Sequence, residues 1–408
     1  MNILYIAGFT TPAFRAHYGD LNPPAMGGLR KASLIMEALA RQGHRVVVLS
    51  SAMLSNSRPA WRAGVREQIR NNVTIIYPSA FMLRPFGGAL NCLRAAGLIR
   101  QLLREFDPDA VIVYNTYLFE SMASRELARL KKQIPIVLEV EDLPLARRRE
   151  WCNLKPWIDQ CCWKGMLQLA SAFTAVNGHI LSLLPDNKPK YLLPGIIDDR
   201  LLKNSRSRLM PFSGTSRTIG YFGALTENNG AAILLDLVPR LPDAWRLVVT
   251  GSGPLAPDFE RLGCKFPARL SFLGRVGEAR LYQAMCACDC TVIPMEQISD
   301  EGQGVFPFKT LEFIAAGTHV IASPLATLGD LNLSFIQRWD GKSVDRLLAE
   351  LACAESKFIQ EQAIRQDTIA AILDRYSLSG VANLFSGLFR TEFFTHSTQN
   401  SPAEGSKL

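Results

Sequence analysis

Two series of short apolar segments, each alternating with longer amphipathic stretches, constrain the fold of this 408-residue chain more than any other feature. The first series is rich in Val, Ile and Tyr and predicts strands at 2–7, 45–50, 73–77, 110–114, 135–140 and 172–176. The second series predicts strands at 217–223, 246–251, 269–274, 289–294 and 318–322. Strands separated by helices form βαβ units with mainly parallel pairing. The pattern therefore predicts an α/β protein with two Rossmann-like halves in tandem.

A polar and basic stretch at 198–208, followed by Pro211 and a Ser-Gly-Thr-Ser run, separates the two series. We predict an N-terminal domain over 1–195 and a C-terminal domain over 196–375. Helical patterns at 343–352, 355–374 and 377–391 have no strand after them. We assign 376–394 to a final helix and expect the polar tail 395–408 to be flexible.

The positive charge of the chain is concentrated in its first half. Residues 1–195 carry 24 Lys and Arg against 14 Asp and Glu, a net charge of +10, whereas the remainder carries −2. Residues 1–104 alone hold 13 basic and 3 acidic side chains. This bias favours an anionic partner, such as nucleic acid, phospholipid headgroups or a phosphorylated acceptor. A solvated basic surface without a partner is the alternative.

Several protein classes do not fit this sequence. No apolar run approaches the ~20 residues that a membrane-spanning helix needs, and the segment after Met1 lacks the pattern of a secretory signal. The nine cysteines form no paired framework, which favours a reducing compartment. Cys286, Cys288 and Cys290 lack the spacing and the neighbouring histidine of a zinc site. We expect a cytoplasmic protein, soluble or peripheral at the inner face of the membrane, without a bound metal.

The stretch 302–317, GQGVFPFKTLEFIAAG, carries the strongest chemical signal. Pro307 suits a first helical turn, and the amides at such a helix start favour an anion. Lys309 in that turn would neutralise phosphate. Glu312, three residues later on the same face, would accept hydrogen bonds from sugar hydroxyls. The alternative is a surface helix with a capping loop.

This stretch resembles the donor-binding signature of GT-B glycosyltransferases, particularly those of family 4. Gly27-Gly28 and further segments match in the same order, at 191–198, 219–225, 247–254, 269–276 and 288–294. The resemblance implies two Rossmann-like domains whose parallel sheets face a central cleft, with C-terminal helices returning toward the N-terminal domain. It also implies a site for a nucleotide-diphosphate sugar on the C-terminal domain, formed by Gly223, Arg275, Gly304, Phe306, Lys309 and Glu312, together with Gly28 of the N-terminal domain.

Two departures from the family pattern concern this donor site. The family often has a glutamate eight positions before the one that corresponds to Glu312, where this chain has Gly304. Many relatives also have an arginine and a lysine where this chain has Ala224 and Asn229. Lys309 would then carry most of the phosphate neutralisation, together with Arg275.

Glu141 and Asp142 are the candidate catalytic residues. They follow a buried type of strand, at the carboxyl end where ligands of α/β sheets bind. A carboxylate there would bind acceptor hydroxyls, act as a base or stabilise positive charge on the sugar. Helix capping or a salt bridge is the alternative role. The family resemblance implies retention of the anomeric configuration.

We therefore expect a glycosyltransferase that moves a sugar from a nucleotide-diphosphate sugar to a glycan or lipid-linked acceptor at the cytoplasmic membrane face, in bacterial polysaccharide assembly. No cofactor, metal or nucleic acid is expected. The basic segment 84–104 and Arg147-Arg148-Arg149 with Trp151 and Trp157 are candidate membrane contacts; packing on the sheet with solvated arginines is the alternative. The rival functions are a nucleotide-sugar epimerase of GT-B fold and a non-catalytic GT-B scaffold.

Overall fold

The computed structural model describes residues 1–18, 26–51, 60–83, 86–131, 133–143, 155–206, 211–295, 308–331, 333 and 335–390. Sixteen strands lie in these ranges: β1 Asn2–Ala7, β2 Arg45–Ser50, β3 Ala60–Arg62, β4 Val65–Arg70, β5 Val73–Tyr77, β6 Ala80–Met82, β7 Ala110–Tyr114, β8 Ile136–Val140, β9 Ala172–Ala175, β10 Lys190–Leu192, β11 Arg217–Phe222, β12 Trp245–Thr250, β13 Leu270–Phe272, β14 Cys290–Ile293, β15 His319–Ala322 and β16 Gln337–Arg338.

Fifteen α-helices lie in the described part of the chain: α1 Pro12–Tyr18, α2 Met26–Arg41, α3 Phe86–Leu93, α4 Ala95–Leu102, α5 Leu118–Leu130, α6 Lys155–Leu169, α7 Gly178–Ser182, α8 Asp199–Arg206, α9 Ala231–Leu237, α10 Ala256–Lys265, α11 Glu278–Cys286, α12 Lys309–Ala315, α13 Val344–Gln360, α14 Gln362–Tyr376 and α15 Leu378–Phe389. No helix in these ranges is both long enough and apolar enough to cross a bilayer.

Fourteen of these strands form two doubly wound sheets, and β3 and β6 pair separately as a two-stranded antiparallel sheet. The first has the order β10-β9-β8-β7-β1-β2-β5-β4, in which only the edge pair β4–β5 is antiparallel. The second has the order β13-β12-β11-β14-β15-β16, and all its pairs are parallel. In each sheet the strand order reverses beside the first strand, β1 or β11, and ligands of such sheets bind at that point. The predicted fold class, two Rossmann-like halves in tandem, is confirmed.

Apolar residues explain why these strands are central. β7 and β8 are buried along their whole length, as expected for parallel strands covered by helices on both faces. One hydrophobic cluster continues from the first half into the second and includes Leu311 of α12 and Phe385 of α15. A second cluster lies within the second half. The two halves are therefore joined by packed apolar side chains as well as by the chain itself.

The C-terminal helices return to the first half, as predicted. Helix α15 packs against α2 of the first half, and the backbone N–H of Ile197, at the boundary between the halves, donates to Tyr376 O at 2.8 Å. Side-chain hydrogen bonds from Gln42 to Asn383 and from Ser386 to Gln42 extend this contact. Helix α15 thus fixes α2 against the rest of the molecule.

Some predicted elements differ from the structure. Paired glycines are typical of loops, but Gly27-Gly28 lies within the first turn of α2. The amphipathic segment 84–104 is divided at Arg94, which donates to Ser79 O at 2.6 Å; within it, residues 84 and 85 lie outside the described ranges. The strands β3, β4, β6, β10 and β16 were not predicted, because they are short or carry many polar residues.

Candidate active site

A buried lysine in α2 binds the two glutamates at the carboxyl end of β8. Lys31 Nζ contacts Glu141 Oε1, lies 3.3 Å from Glu139 Oε1 and donates to Leu193 O at 2.5 Å. The Lys31 side chain is 1% exposed and that of Glu139 is 0% exposed. The Tyr5 hydroxyl donates to Glu139 Oε2 at 2.5 Å. A cation removed from water in this way must be compensated by nearby carboxylates.

The charges of Lys31 and Glu139 affect how Glu141 ionises. Burial acts to lower the pKa of Lys31, but Glu141 and Glu139 outweigh it and the pKa of the lysine is raised. Burial raises the pKa of Glu141 to about 7, although Lys31 opposes the shift. The Lys31 ammonium thus faces two carboxylates, and Glu141 gains or loses a proton near neutral pH. This is the property required of a group that works as an acid or base.

Asp142, the second predicted catalytic residue, is held by the loop that follows β7. Asn115 Nδ2 and the Tyr117 hydroxyl donate to Asp142 Oδ2 at 3.2 and 3.1 Å. Asn115 Oδ1 accepts the backbone N–H of Glu141 at 2.7 Å and that of Asp142 at 3.1 Å. Asn115 has a positive φ of 58°, a conformation that asparagine tolerates better than most residues. The loop therefore orients both carboxylates together.

Gly28 lies beside the same carboxylates. A Cβ atom at this position would lie 2.2 Å from the Tyr114 hydroxyl, so only glycine allows α2 to approach the end of β7. Burial raises the pKa of Tyr114 strongly, and Glu141, Glu139 and Asp142 raise it further. The structure thus places Gly28 near the candidate catalytic group. Its role in donor binding remains a prediction.

The donor-side residues Lys309 and Glu312 lie in α12, at the junction of the two halves. Phe308, just before the helix, packs on Gly195, where an added Cβ would lie 2.9 Å from the Phe308 ring. No described residue makes a hydrogen bond or ion pair with the Lys309 ammonium. Burial lowers the pKa of Lys309; Glu312 opposes the shift and Arg30 adds to it. An anion bound beside Lys309 would offset the free-energy cost of removing its ammonium group from water.

Glu312 is paired with an arginine of the first half. Arg30 Nη2 lies 2.9 Å from Glu312 Oε1, and the Glu312 side chain is 1% exposed. Neither carboxylate oxygen accepts a hydrogen bond of good geometry from the described residues, and Thr310 Oγ1 is likewise buried without a partner. Buried polar atoms without partners are uncommon in folded proteins. The predicted donor glutamate therefore retains capacity to accept hydroxyl groups.

The other donor residues are placed as follows. Gly223 follows β11, and its N–H donates to Thr250 O at 3.1 Å. Gly251, with φ 149°, lies so close that a Cβ would be 1.8 Å from Gly223 O. Arg275 is exposed and follows β13. The pKa of Arg15 in α1 is lowered, first by the burial of Arg15 and then by the charge of Arg275. Arg275 therefore lies near the first half. Gly304 and Phe306 lie outside the described residues.

The two departures from the family pattern are visible here. Asn229, which stands where many relatives have a lysine, uses its side chain locally: Nδ2 donates to Thr226 Oγ1 at 2.9 Å. Ala224 is exposed and supplies no charge. Arg30 of the first half supplies a cation in contact with α12, through Glu312. The sequence did not identify Arg30, Lys31, Asn115 or Tyr117 as parts of the site.

Comparisons with known proteins follow the same division of the chain. A family model described as "Glycosyl transferase 4-like domain" matches residues 27–187, and one described as "Glycosyl transferases group 1" matches residues 216–334. No protein with a curated description matches the sequence significantly.

Solved structures similar to this chain include several sugar-phosphate synthases. A UDP-forming α,α-trehalose-phosphate synthase from Burkholderia xenovorans, in complex with glucose-6-phosphate, has 12% identity and a TM-score of 0.67, over 95% of this chain and 100% of that one. The corresponding enzyme from Burkholderia vietnamiensis has 14% identity and a TM-score of 0.66, over 97% and 98%. Sucrose-phosphate synthase from Thermosynechococcus elongatus has 14% identity and a TM-score of 0.62, over 97% and 100%.

At these identities the structural similarity establishes the fold, while the two family models establish the reaction class. The models match successive regions that together make up most of the chain, one on each sheet. The predicted family and enzyme class are both confirmed. The chain belongs to the GT-B glycosyltransferases.

Proposed function

We propose that this enzyme transfers a sugar from a nucleotide-diphosphate donor to a glycan or lipid-linked acceptor at the cytoplasmic face of a membrane, in polysaccharide biosynthesis. The observation that carries the donor assignment is the Lys309 ammonium. It lies at the junction of the halves, desolvated and without an anionic partner in contact among the described residues. A diphosphate would supply that partner. Lys309, with Arg275, would then stabilise the leaving diphosphate without a metal ion.

The test is a transfer assay with labelled nucleotide sugars and a panel of glycan and polyprenyl-phosphate acceptors, with and without a chelator. We expect label to appear in the acceptor, in both conditions, for one donor. Conversion of the donor sugar without any acceptor would favour an epimerase instead. Release of no nucleotide from any donor would favour a non-catalytic scaffold.

We further propose that transfer retains the anomeric configuration. One similar solved structure is titled as a study of "enzymatic glycosyltransfer with retention" in trehalose-6-phosphate synthase. In the present chain, Glu141 contacts Lys31, and Asp142 is held by Asn115 and Tyr117; either carboxylate would stabilise positive charge that develops on the sugar. The anomeric configuration of the product, read by NMR coupling constants, decides between retention and inversion.

The role of Glu141 predicts a defined pH dependence. Because burial raises the pKa of Glu141 to about 7, its ionised fraction increases as pH rises through neutrality. We expect kcat to increase over pH 6–8 with an apparent pKa near 7 that belongs to the Lys31–Glu139–Glu141 group. Glu141→Gln should lower kcat by about 100-fold and remove this increase of kcat with pH. Asp142→Asn is the control, in which the increase should persist. An unchanged pH dependence of kcat in Glu141→Gln would refute the assignment.

The proposed membrane contact is best supported on one surface of the first half. Trp61 is 59% exposed and Leu93 is 68% exposed, and the Arg94 guanidinium stacks over the Trp61 ring at 4.9 Å. The Asn91 side chain fixes α3 to β6 through both backbone groups of Phe81. Exposed apolar side chains beside arginine, on a half of net charge +10, suit an anionic bilayer surface.

We predict that Trp61→Ser combined with Leu93→Ser lowers affinity for vesicles of phosphatidylglycerol by roughly tenfold or more, because apolar insertion is lost. Cosedimentation measures this affinity. Ile359→Ser is the matched control, since Ile359 is 61% exposed but lies in the second half. Equal vesicle binding by wild type and the double variant would argue that this surface faces only water.

A further inference from the structure

Two successive residues of α2 connect the candidate donor and acceptor sites. Lys31 binds Glu139 and Glu141 of the first half, as described above. Arg30 instead contacts the second half. Its guanidinium lies 2.9 Å from Glu312 and 3.8 Å from Glu278, contacts the Tyr282 hydroxyl and lies over the Tyr282 ring at 5.3 Å.

The contacts of Arg30 are themselves fixed by other groups. The Tyr282 hydroxyl donates to Asp198 Oδ2 at 2.8 Å, and Asp198 is bound by Arg200. Arg200 also binds Glu278 at 2.8 Å. Arg30 is only 19% exposed and is held from several sides. The guanidinium is therefore a preorganised partner for Glu312 rather than a mobile surface cation.

Glu312 depends on this partner for its position. A carboxylate that is 1% exposed would be strongly destabilised without a nearby cation. Without Arg30 it would turn away from its present position. Meanwhile, both Glu312 oxygens lack hydrogen bonds of good geometry from the described residues, so they remain able to accept hydroxyl groups.

We propose that Arg30 is a positioning residue of the donor site. It holds the Glu312 carboxylate in place so that it receives ribose hydroxyl groups of the nucleotide. The first half thus supplies a residue that completes the donor site. This inference rests on the proposed donor function of Glu312 and adds to it a dependence on the first half.

The test is calorimetric measurement of Kd for the nucleoside diphosphate that wild type binds best, and for its nucleoside. Arg30→Met should weaken both ligands by about tenfold, because Glu312 contacts hydroxyl groups and not phosphate. Glu312→Gln should have a similar effect. The double variant should bind no more weakly than Glu312→Gln alone, since Arg30 acts through Glu312. Arg30→Lys should recover most of the affinity.

Arg41→Met is the matched control. Arg41 lies on the same helix and also makes an ion pair with the second half, with Asp199 of α8. It does not contact Glu312. Its replacement should leave both Kd values within twofold of wild type. Thermal unfolding of each variant verifies folding, and Arg30→Gln, which also removes the charge, replaces Arg30→Met if that variant does not fold.

Three results would overturn the inference. Additive losses in the double variant would show that Arg30 acts independently of Glu312. A loss confined to the diphosphate would show that Arg30 contacts phosphate directly. Equal losses for Arg41→Met would reduce Arg30 to a general contact between the halves. If wild type itself binds no nucleoside diphosphate, the proposed donor site fails, and that outcome is distinct from these three.

Discussion

Lys309→Ala is expected to weaken nucleoside diphosphate binding by roughly 30-fold while nucleoside binding changes by less than about threefold. A charge-assisted hydrogen bond contributes about 2 kcal/mol, which corresponds to this factor. A contribution of this size is expected because burial lowers the pKa of Lys309, so a bound anion relieves a desolvated cation. Calorimetric titration of the variant and the wild type with both ligands measures the difference.

Lys342→Ala is the control for a nonspecific effect of charge. Lys342 is an exposed lysine of the same half, and its replacement should leave both affinities unchanged. Lys309→Arg, which keeps the positive charge, should retain part of the diphosphate affinity. Equal losses of diphosphate and nucleoside binding in Lys309→Ala would mean that Lys309 supports the fold of the site and does not contact phosphate.

Lys31→Met is expected to reduce the free energy of unfolding by about 3–5 kcal/mol at pH 8, because it leaves buried carboxylates without their cation. Glu139 and Glu141 then repel each other in a region where Lys31 was 1% exposed. The loss should be smaller at pH 5.5, since burial raises the pKa of Glu141 to about 7 and its carboxyl is protonated there. Urea unfolding at the two pH values measures both quantities.

A second substitution separates charge from packing in this group. Glu141→Gln in the Lys31→Met background removes one of the two charges, so it should restore part of the lost stability at pH 8. An apolar replacement that merely packs badly would not respond to this change. If Lys31→Met is as stable as wild type at pH 8, the lysine does not neutralise the two glutamates.

The sheets were predictable because their central strands are continuous apolar runs. β7 and β8 consist almost entirely of apolar residues, so their positions and their burial on both faces follow from composition. β4 was missed because its sequence, VREQIR, is mostly polar and lies at the antiparallel edge of the sheet. Edge strands have one unpaired side and carry such charges, which weakens their sequence signal.

The candidate site was predictable where its residues are neighbours in the chain. Glu141 and Asp142 follow a buried strand, and Lys309 and Glu312 share one turn of α12. Their partners come from distant positions, which no local pattern identifies. Lys31 did give one signal: it lies four residues before Ile35 on the buried face of α2. A lysine within an apolar stripe indicates a buried partner, although the stripe does not tell which carboxylate that is.

The most direct measurement is calorimetric titration of the wild-type chain with ADP, GDP, UDP and dTDP and with the matching nucleosides. The account predicts that at least one diphosphate binds with a Kd below 1 mM and at least about tenfold more tightly than its nucleoside. If none of the four produces binding heat at millimolar concentration, or if nucleosides bind equally well, no diphosphate is held beside Lys309 and the proposed donor site is wrong.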